Sequence, residues 1–193
     1  MGPSFLFVCF GNICRSPMAV GIARKVLGNN VRVESAGIAA GEGSAASGEA
    51  VLVLKAVYGT DISGHRSMAF GAVDASSFDY VIAMDLYVYG RIKEARTIPE
   101  DRHFGWDVED PLGLGYDAYK RAAKKIESQS QRDSLRDFLA KAGRPMNIAE
   151  IILAMKKAGQ PFQANRPVKA MSKLLYTNKK MFRKVRPGTF KAA

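Results

Sequence analysis

The sequence predicts an α/β fold: a small doubly wound parallel sheet with helices on both faces, followed by a small, mainly α-helical domain. Two observations lead to this prediction. Apolar strand-like segments alternate with helix-like segments in the first part of the chain, as in parallel sheets covered on both faces. The charge then changes, because residues 1–127 carry 14 basic and 15 acidic residues, net −1, whereas residues 128–193 carry 15 basic and 3 acidic residues, net +12. We therefore expect two domains.

Apolar runs and helix-start signals define the elements of the first domain. Ser16 is a favourable N-cap, and Pro17 suits the first position of a helix. A last helix, from Tyr116 to Ser128, would close the domain at residue 128. The other predicted elements are a strand at Phe5–Val8, a helix from Pro17, a strand at Val31–Glu34, a helix through Ala50, Val53, Leu54 and Val57, and a strand at Tyr80–Met84.

Residues 129–131 (Gln-Ser-Gln) are the predicted linker, and residues 132–193 are the predicted second domain. Three helices are expected there, separated by breaks at 143–145 and 159–161, and the second one begins with Asn147 as its cap. The third starts near Pro167, with Val168, Met171, Leu174 and Leu175 facing inward. A hairpin of residues 182–186 and 189–191 follows. This order is the plan of a winged helix, whose third helix enters a DNA major groove.

Composition limits the class of protein and its compartment. With 193 residues and 47% hydrophobic content, the chain can bury one large or two small cores. No apolar stretch approaches the length of a membrane span, and Phe5–Phe10 lacks the flanks of a signal peptide. We expect a cytoplasmic protein without a membrane partner. In that compartment the two cysteines are more often catalytic or redox-sensitive than a structural disulfide.

The most informative motif places a thiol, Cys9, at the end of an apolar strand and a guanidinium, Arg15, six positions later. Six residues can wrap around one tetrahedral oxyanion, with backbone N–H groups and a helix N-terminus directed at it. Arg15 would bind two equatorial oxygens with its planar fork. The same groups favour a thiolate, and therefore a nucleophile, at Cys9. The predicted phosphate-binding loop (P-loop) comprises Phe10, Gly11, Asn12, Ile13, Cys14 and Ser16.

Asp110 is the predicted general acid. In-line attack by Cys9 on a phosphate monoester gives a phosphocysteine, and the departing phenolate needs a proton. Asp110 precedes Pro111, which favours a fixed loop conformation, whereas its neighbours Asp107 and Glu109 are assigned to a solvated acidic surface. Phe10 would line the mouth of the site, with Tyr116 or Tyr119 as the opposite wall. We predict no metal site and no cofactor.

These residues resemble the low-molecular-weight protein tyrosine phosphatase family over about residues 4–127. The resemblance continues through Glu34–Gly37, Ile62–Ser67 and Val81–Asp85 to Asp110-Pro111. It implies that Asp110 protonates the leaving group and later activates the hydrolytic water. It also implies that His65 supports Asn12, and that Cys14 can form a reversible disulfide with Cys9 that protects Cys9 from over-oxidation.

The second domain resembles the HARE-type helix-turn-helix family through short apolar and Gly-Pro landmarks at 142–146, 175–178 and 185–190. Domains of this type bind nucleic acid or other proteins. The net charge of +12 favours a polyanionic partner, either nucleic acid or an acidic protein.

Three functions compete. The first is a protein tyrosine phosphatase acting on phosphorylated proteins or aryl phosphates, because a deep cradle suits a long flat leaving group. The second is an arsenate reductase, which would need an external thiol because the chain has only two cysteines. The third is a DNA-binding regulator whose first domain merely senses an anion. The combination of Cys9, Arg15 and Asp110 favours the first.

Overall fold

In the described residues, four parallel strands form the sheet of the first part of the chain. The computed structural model describes residues 3–28, 31–95, 98–158, 162 and 166–193. The strands are β1 (Ser4–Cys9), β2 (Arg32–Gly37), β3 (Tyr80–Ala83) and β4 (His103–Gly105), in the spatial order β2-β1-β3-β4. The central strand β1 is buried from Phe5 to Cys9, as expected for a strand covered on both faces. Strand order reverses beside β1, and ligands bind at the carboxyl ends of strands at such a point.

In the described residues, this part of the chain contains the helices α1 (Arg15–Leu27), α2 (Gly48–Val53) and α3 (Leu86–Glu94), and α4 (Gly115–Ala142) begins in it and continues into the second part. α2 continues into a π-helical turn at Leu54–Tyr58, and 3-10 turns lie at 70–72, 75–77 and 100–102. The predicted doubly wound parallel sheet is confirmed. The sequence did not predict α3 and β4, because β4 has only three residues and α3 exposes Leu86 and Tyr87 in its first turn.

Residues 129–131 lie inside α4 and do not form an extended linker. Their polar side chains suggested a linker, but no glycine or proline interrupts the helix before Gly143, which has a φ of 63° and ends it. Gln129 and Ser130 are buried. Neither α4, with its 28 residues, nor any other helix in the described ranges is long and apolar enough to span a membrane.

The chain forms two compact units, a first unit of residues 1–25 and 29–127 and a second unit of residues 26–28 and 128–193. The second unit contains the end of α4, β5 (Met146–Asn147), α5 (Ile148–Lys157), α6 (Pro167–Thr177), β6 (Phe182–Arg186) and β7 (Thr189–Ala192). Its three strands are antiparallel in the order β5-β7-β6. Asn147 and Glu150 form a capping box at the start of α5. The predicted break at 159–161 lies outside the described residues.

The second unit has its own apolar core, which explains the helical pattern of its sequence. Met171 and Leu175 of α6 are buried, whereas Val168, which was expected to face inward, is 58% exposed. Position 168 falls in the first turn of the helix, before the packed part of α6 begins. The buried core residues are Leu135, Leu139, Met146, Ile151, Met155, Met171, Leu175, Phe182 and Phe190.

Candidate active site

Cys9 ends β1 with its thiol buried among hydrogen-bond donors. The backbone nitrogen of Asn12 donates to Sγ at 3.1 Å, and the hydroxyl of Ser16 lies 3.0 Å from the same sulfur. Cys9 itself is 2% exposed. Ser16 lies in the first turn of α1, so the positive end of that helix is directed toward the sulfur. A thiolate at this position would be stabilised by both hydrogen bonds.

Asn12 has a left-handed backbone, with a φ of 53°, and three contacts hold it there. Its Nδ2 donates to Ser16 Oγ at 2.8 Å, and its Oδ1 accepts from the backbone nitrogen of Met68 at 2.8 Å. The Nε2 of His65 lies 2.7 Å from its carbonyl oxygen. Burial lowers the pKa of His65, which favours a neutral ring that donates from Nε2 to this carbonyl. These contacts stabilise the loop conformation that presents the Asn12 amide to Cys9.

Gly37, at the end of β2, passes very close to the same loop. A Cβ added at Gly37 would lie 2.7 Å from the carbonyl oxygen of Phe10 and 2.8 Å from the nitrogen of Asn12. The chain after it is hydrogen-bonded to the loop, because Ile38 donates to the Cys9 carbonyl at 3.1 Å and Ala39 to that of Phe10 at 2.9 Å. Only glycine fits this approach without displacing the loop.

Arg15 is 3% exposed and binds two carboxylates. Nη1 donates to Asp85 Oδ2 at 2.5 Å and to the carbonyl of Val108 at 3.1 Å, and Nη2 donates to Asp110 Oδ2 at 2.6 Å. Nε is buried and has no hydrogen-bond partner among the described residues. An oxyanion in the loop could therefore accept from Nε, and it would compete with Asp110 for Nη2.

Asp110 follows the end of β4 on an exposed segment and is 46% exposed. Its Oδ1 accepts from the backbone nitrogen of Leu112 at 3.2 Å, and two glycines with positive φ, Gly113 and Gly115, follow. By contrast, Asp107 is 91% exposed and lies 3.8 Å from Lys125. Of the three neighbouring acidic residues, the structure brings Asp110 to Arg15.

Cys14, the second thiol of the loop, is buried and contacts a tyrosine of α4. Its Sγ lies 3.1 Å from the hydroxyl of Tyr119, a residue that is 1% exposed. Burial raises the pKa of Cys14, and the hydrogen bond with Tyr119 opposes that effect. Tyr119 therefore packs behind the loop and cannot be a wall of its mouth, whereas Tyr116 is exposed.

Two aromatic side chains, one from the loop after β1 and one from α3, lie close together at the site. Phe10, which follows Cys9, is 46% exposed, and its ring centroid lies 6.3 Å from that of Tyr87 at the start of α3. Tyr87 is two residues after Asp85, the partner of Arg15. A flat leaving group could pack against this pair.

No function was predicted for Asp85 or Gly37, and Tyr119 was expected at the mouth of the site, yet all three contact or closely approach loop residues. Asp85 also caps α3, because its Oδ1 accepts from the backbone nitrogen of Val88 at 2.8 Å. An Asp directly after an apolar strand was the available signal for Asp85, since it would lie at the same sheet edge as Cys9. For Tyr119, which contacts a residue 105 positions away, the sequence offers no such signal.

The fold and the site define a cysteine-dependent enzyme in which a buried thiol and a guanidinium surround an oxyanion-binding loop. In the described part of the chain, no cluster of His, Cys, Asp or Glu side chains could hold a metal ion. Residues 4–144 match the family model described as low molecular weight phosphotyrosine protein phosphatase, and the chain belongs to that family.

The relatives differ in what their names say they act on. The chain is 45% identical over 130 residues to a probable low molecular weight protein-tyrosine-phosphatase, EpsP, of Ralstonia nicotianae, covering 64% of this chain and 88% of that protein. It is 34% identical over 136 residues to a protein-arginine-phosphatase of Geobacillus stearothermophilus, covering 66% and 90%. An arsenate reductase of Staphylococcus epidermidis is 33% identical over 128 residues, covering 63% and 88%.

Among solved structures, a low molecular weight protein tyrosine phosphatase from T. tengcongensis is similar, with 38% identity and a TM-score of 0.62. That match covers 67% of this chain and 95% of the other.

Proposed function

We propose that the chain hydrolyses phosphotyrosine on proteins through a phosphocysteine on Cys9. The observation that carries this proposal is the position of the Cys9 sulfur, which contacts Asn12 and Ser16 beside a buried Arg15. Arg15 in turn binds Asp110, so nucleophile, anion-binding group and acid belong to one connected set of contacts. A chain that only sensed an anion would need neither the nucleophile nor the acid.

The first step transfers the phosphoryl group to sulfur. The Cys9 thiolate attacks phosphorus in line with the leaving oxygen, so an S–P bond forms as the P–O bond to the leaving group breaks. Arg15 and the loop amides stabilise the charge on the equatorial oxygens. The phosphate accepts from Arg15 Nε and displaces Asp110 from Nη2. This displacement frees the Asp110 carboxyl to reach the leaving group.

Asp110 acts as acid in the first step and as base in the second. Once it leaves Arg15, the Asp110 carboxylate takes up a proton from solvent and gives it to the departing phenolate oxygen, which then leaves as a neutral phenol. Its carboxylate next takes a proton from the water that attacks the phosphocysteine, and inorganic phosphate and the Cys9 thiolate are released. Asp110 lies on an exposed segment followed by two positive-φ glycines, which suits the movement this exchange requires.

The choice of tyrosine rests on the mouth of the site. Phe10 and Tyr87 offer aromatic surface to a flat leaving group, and phosphotyrosine presents such a ring. Arsenate reduction is the second candidate, favoured by the similarity to an arsenate reductase. It would require an external thiol to regenerate Cys9, because Cys14 is the other cysteine of the chain and lies buried against Tyr119.

The full chain should be assayed with phosphotyrosine and phosphoarginine peptides, and with arsenate plus a small thiol. We expect hydrolysis of the phosphotyrosine peptide, its loss in Cys9→Ser, and retention of much of it in Cys14→Ser. Equal loss in both variants would contradict Cys9 as the nucleophile. Preference for phosphoarginine, or arsenate-dependent thiol oxidation without phosphatase activity, would replace the proposed substrate.

We further propose that the second unit is a winged-helix domain that binds nucleic acid through its phosphates. Two features of the unit support this assignment. Its elements follow one another as a helix, β5, two helices, β6 and β7, and its strands lie in the order β5-β7-β6. Residues 166–193 contain nine basic and no acidic residues, and all nine basic residues are exposed. Lys184 of β6 lies 5.3 Å from the ring centroid of Tyr176 on α6, so the helix and the hairpin share a basic surface. An acidic protein is the alternative partner.

A further inference from the structure

The segments around the mouth of the site expose apolar side chains that the proposed hydrolysis does not use. In the described residues of the first unit, nine large hydrophobic side chains are exposed, and six of them lie in the loop after β1, at 86–87 or at 112–116. Two of the six pack against the leaving-group ring in the proposed reaction, and the other four have no role in it. The six, which are 41–74% exposed, are Phe10, Leu86, Tyr87, Leu112, Leu114 and Tyr116.

The contacts of Arg15 bring two of these segments to the same point. Its Nη1 donates to Asp85 at 2.5 Å, and its Nη2 donates to Asp110 at 2.6 Å. Leu86 directly follows the first carboxylate. Leu112 follows the second by two residues, and its backbone nitrogen donates to Asp110 Oδ1 at 3.2 Å. Apolar side chains from both segments therefore lie near the position at which a phosphate would bind the guanidinium.

The segment after Asp110 is a turn that keeps two leucines exposed. The backbone nitrogen of Leu114 donates to the carbonyl of Pro111 at 3.0 Å. Pro111 is buried, whereas Leu112 and Leu114 are each 58% exposed. The proline therefore anchors the turn, and the leucine side chains remain in contact with water. Apolar surface that is exposed next to a binding site is typical of a surface that contacts the ligand.

The charged residues of the same segments are acidic. Residues 84–90 and 107–117 contain five acidic residues and no basic residue. Two of the five bind Arg15, and the other three are exposed. Negative charge at the mouth repels an acidic peptide, whereas it has no such effect on an apolar one. The exposed three are Asp107, which lies 3.8 Å from Lys125, Glu109 and Asp117.

Resting on the proposed phosphotyrosine hydrolysis, we propose that the site selects phosphotyrosine flanked by apolar side chains and disfavours phosphotyrosine flanked by acidic ones. With the phosphate in the loop and the ring against Phe10 and Tyr87, the next residues of the peptide follow at up to roughly 3.5 Å each. Leu86 on one side, and Leu112 and Leu114 on the other, then bury exposed surface against these residues. The burial is favourable when the flanking side chains are apolar.

Lysine substitutions at two of these positions test the selection. Leu86→Lys and Leu114→Lys each remove exposed apolar surface and add a positive charge beside the mouth. Leu52→Lys is the matched control, because Leu52 is a 60% exposed leucine on α2, outside the segments listed here. The full-length chains are assayed with three phosphotyrosine peptides of equal length, flanked by leucine and valine, by serine and glycine, or by glutamate and aspartate. Each kcat/KM is normalised to the value of the same chain with p-nitrophenyl phosphate, which has no flanking residues.

In the unmodified chain, we expect kcat/KM for the apolar peptide to exceed that for the acidic peptide by about tenfold. Leu86→Lys and Leu114→Lys should each reduce this ratio about three- to tenfold, whereas Leu52→Lys should preserve it. Equal kcat/KM values for the three peptides in the unmodified chain would overturn the proposal. An unchanged ratio in both Leu86→Lys and Leu114→Lys would overturn it as well.

Failure of the proposed function gives a different result. A chain that hydrolyses neither the peptides nor p-nitrophenyl phosphate would reject the hydrolysis, and peptide binding to Cys9→Ser, measured by fluorescence anisotropy, would still rank the flanking residues. Light scattering of the unmodified chain tests a second copy as the occupant of the apolar surface. A dimer that Leu86→Lys dissociates, together with equal affinity for the three peptides, would assign the surface to that second copy and overturn the proposal.

Discussion

Arg15 binds two carboxylates to which the structure gives different surroundings. Asp85 is 28% exposed and also caps α3, so its position is fixed from two directions. Asp110 is 46% exposed and is followed by glycines with positive φ. The fixed carboxylate orients the guanidinium, and the freer one can leave it when a phosphate arrives. The two residues should therefore respond differently to substitution.

Asp110→Asn should slow the hydrolysis of aryl phosphates with poor leaving groups by about 10²–10⁴-fold, because the departing oxygen loses its proton donor. Good leaving groups, such as p-nitrophenolate, need that proton less and should be affected less. Asp85→Asn keeps a capping side chain but loses the ion pair, and it should reduce kcat/KM for both classes equally. Steady-state rates over a leaving-group series check this, and a flat profile for Asp110→Asn would point to another acid.

The contact between His65 and the Asn12 carbonyl makes the stability of the folded chain depend on pH. Burial lowers its pKa, so the folded state favours the neutral ring that donates to the Asn12 carbonyl. Between that lowered pKa and the ordinary value of about 6.5, the unfolded chain binds more protons. The contribution of His65 to stability is therefore present above about pH 6.5 and is lost as the pH falls through the folded-state pKa.

Thermal unfolding followed between pH 7.5 and 5 checks this dependence. We expect Tm of the unmodified chain to fall more steeply on acidification than Tm of His65→Gln, whose side-chain amide can still donate to Asn12 but does not titrate. His103 remains in both proteins and cancels in the comparison. Parallel Tm curves would show that His65 does not contribute.

At the scale of elements, the site depends on the close approach of the end of β2 to the loop that follows β1. A Cβ at residue 37 would lie under 3 Å from backbone atoms of Phe10 and Asn12, which cannot move as a flexible side chain could. Gly37→Ala should therefore displace the loop. We expect it to lower kcat/KM by a larger factor than it lowers the equilibrium constant for folding. Gly71→Ala is the control, since an added Cβ there meets nothing within 4 Å. Equal activity in the two variants would contradict this account.

The sequence predicted the elements that carry a strong local signal. β1 and α1 belong to this group, because an apolar run and a Ser-Pro helix start are visible in single stretches of chain. β4 and α3 were missed because one is three residues long and the other begins with exposed apolar residues. The extension of α4 through 129–131 was missed because helix continuation is decided by packing more than by the polarity of three residues.

The same reasoning explains which parts of the candidate site were predictable. Cys9 and Arg15 share one loop, so their proximity follows from sequence spacing, and Asp110 was named through the proline that follows it and through the family resemblance. The contacts Asp85–Arg15 and Tyr119–Cys14 join residues 70 and 105 positions apart. The position of Asp85 directly after an apolar strand was a usable signal for the first contact, whereas no local pattern specifies the second. They became visible once the sheet and α4 were in place.

At the scale of the whole molecule, the two units differ in charge, and that difference has a testable consequence. If about six basic residues of the second unit contact phosphates, log K for duplex DNA should fall against log[salt] with a slope near −5, from ~0.9 per contact. Replacing Lys169, Lys173 and Lys184 with Gln in the full chain should reduce the slope by roughly 2.7. Gln at Lys55, Arg66 and Lys124 of the first unit, the matched control, should leave it unchanged. Titrations at several salt concentrations decide the matter, and no binding at low salt would assign the basic surface to an acidic protein partner.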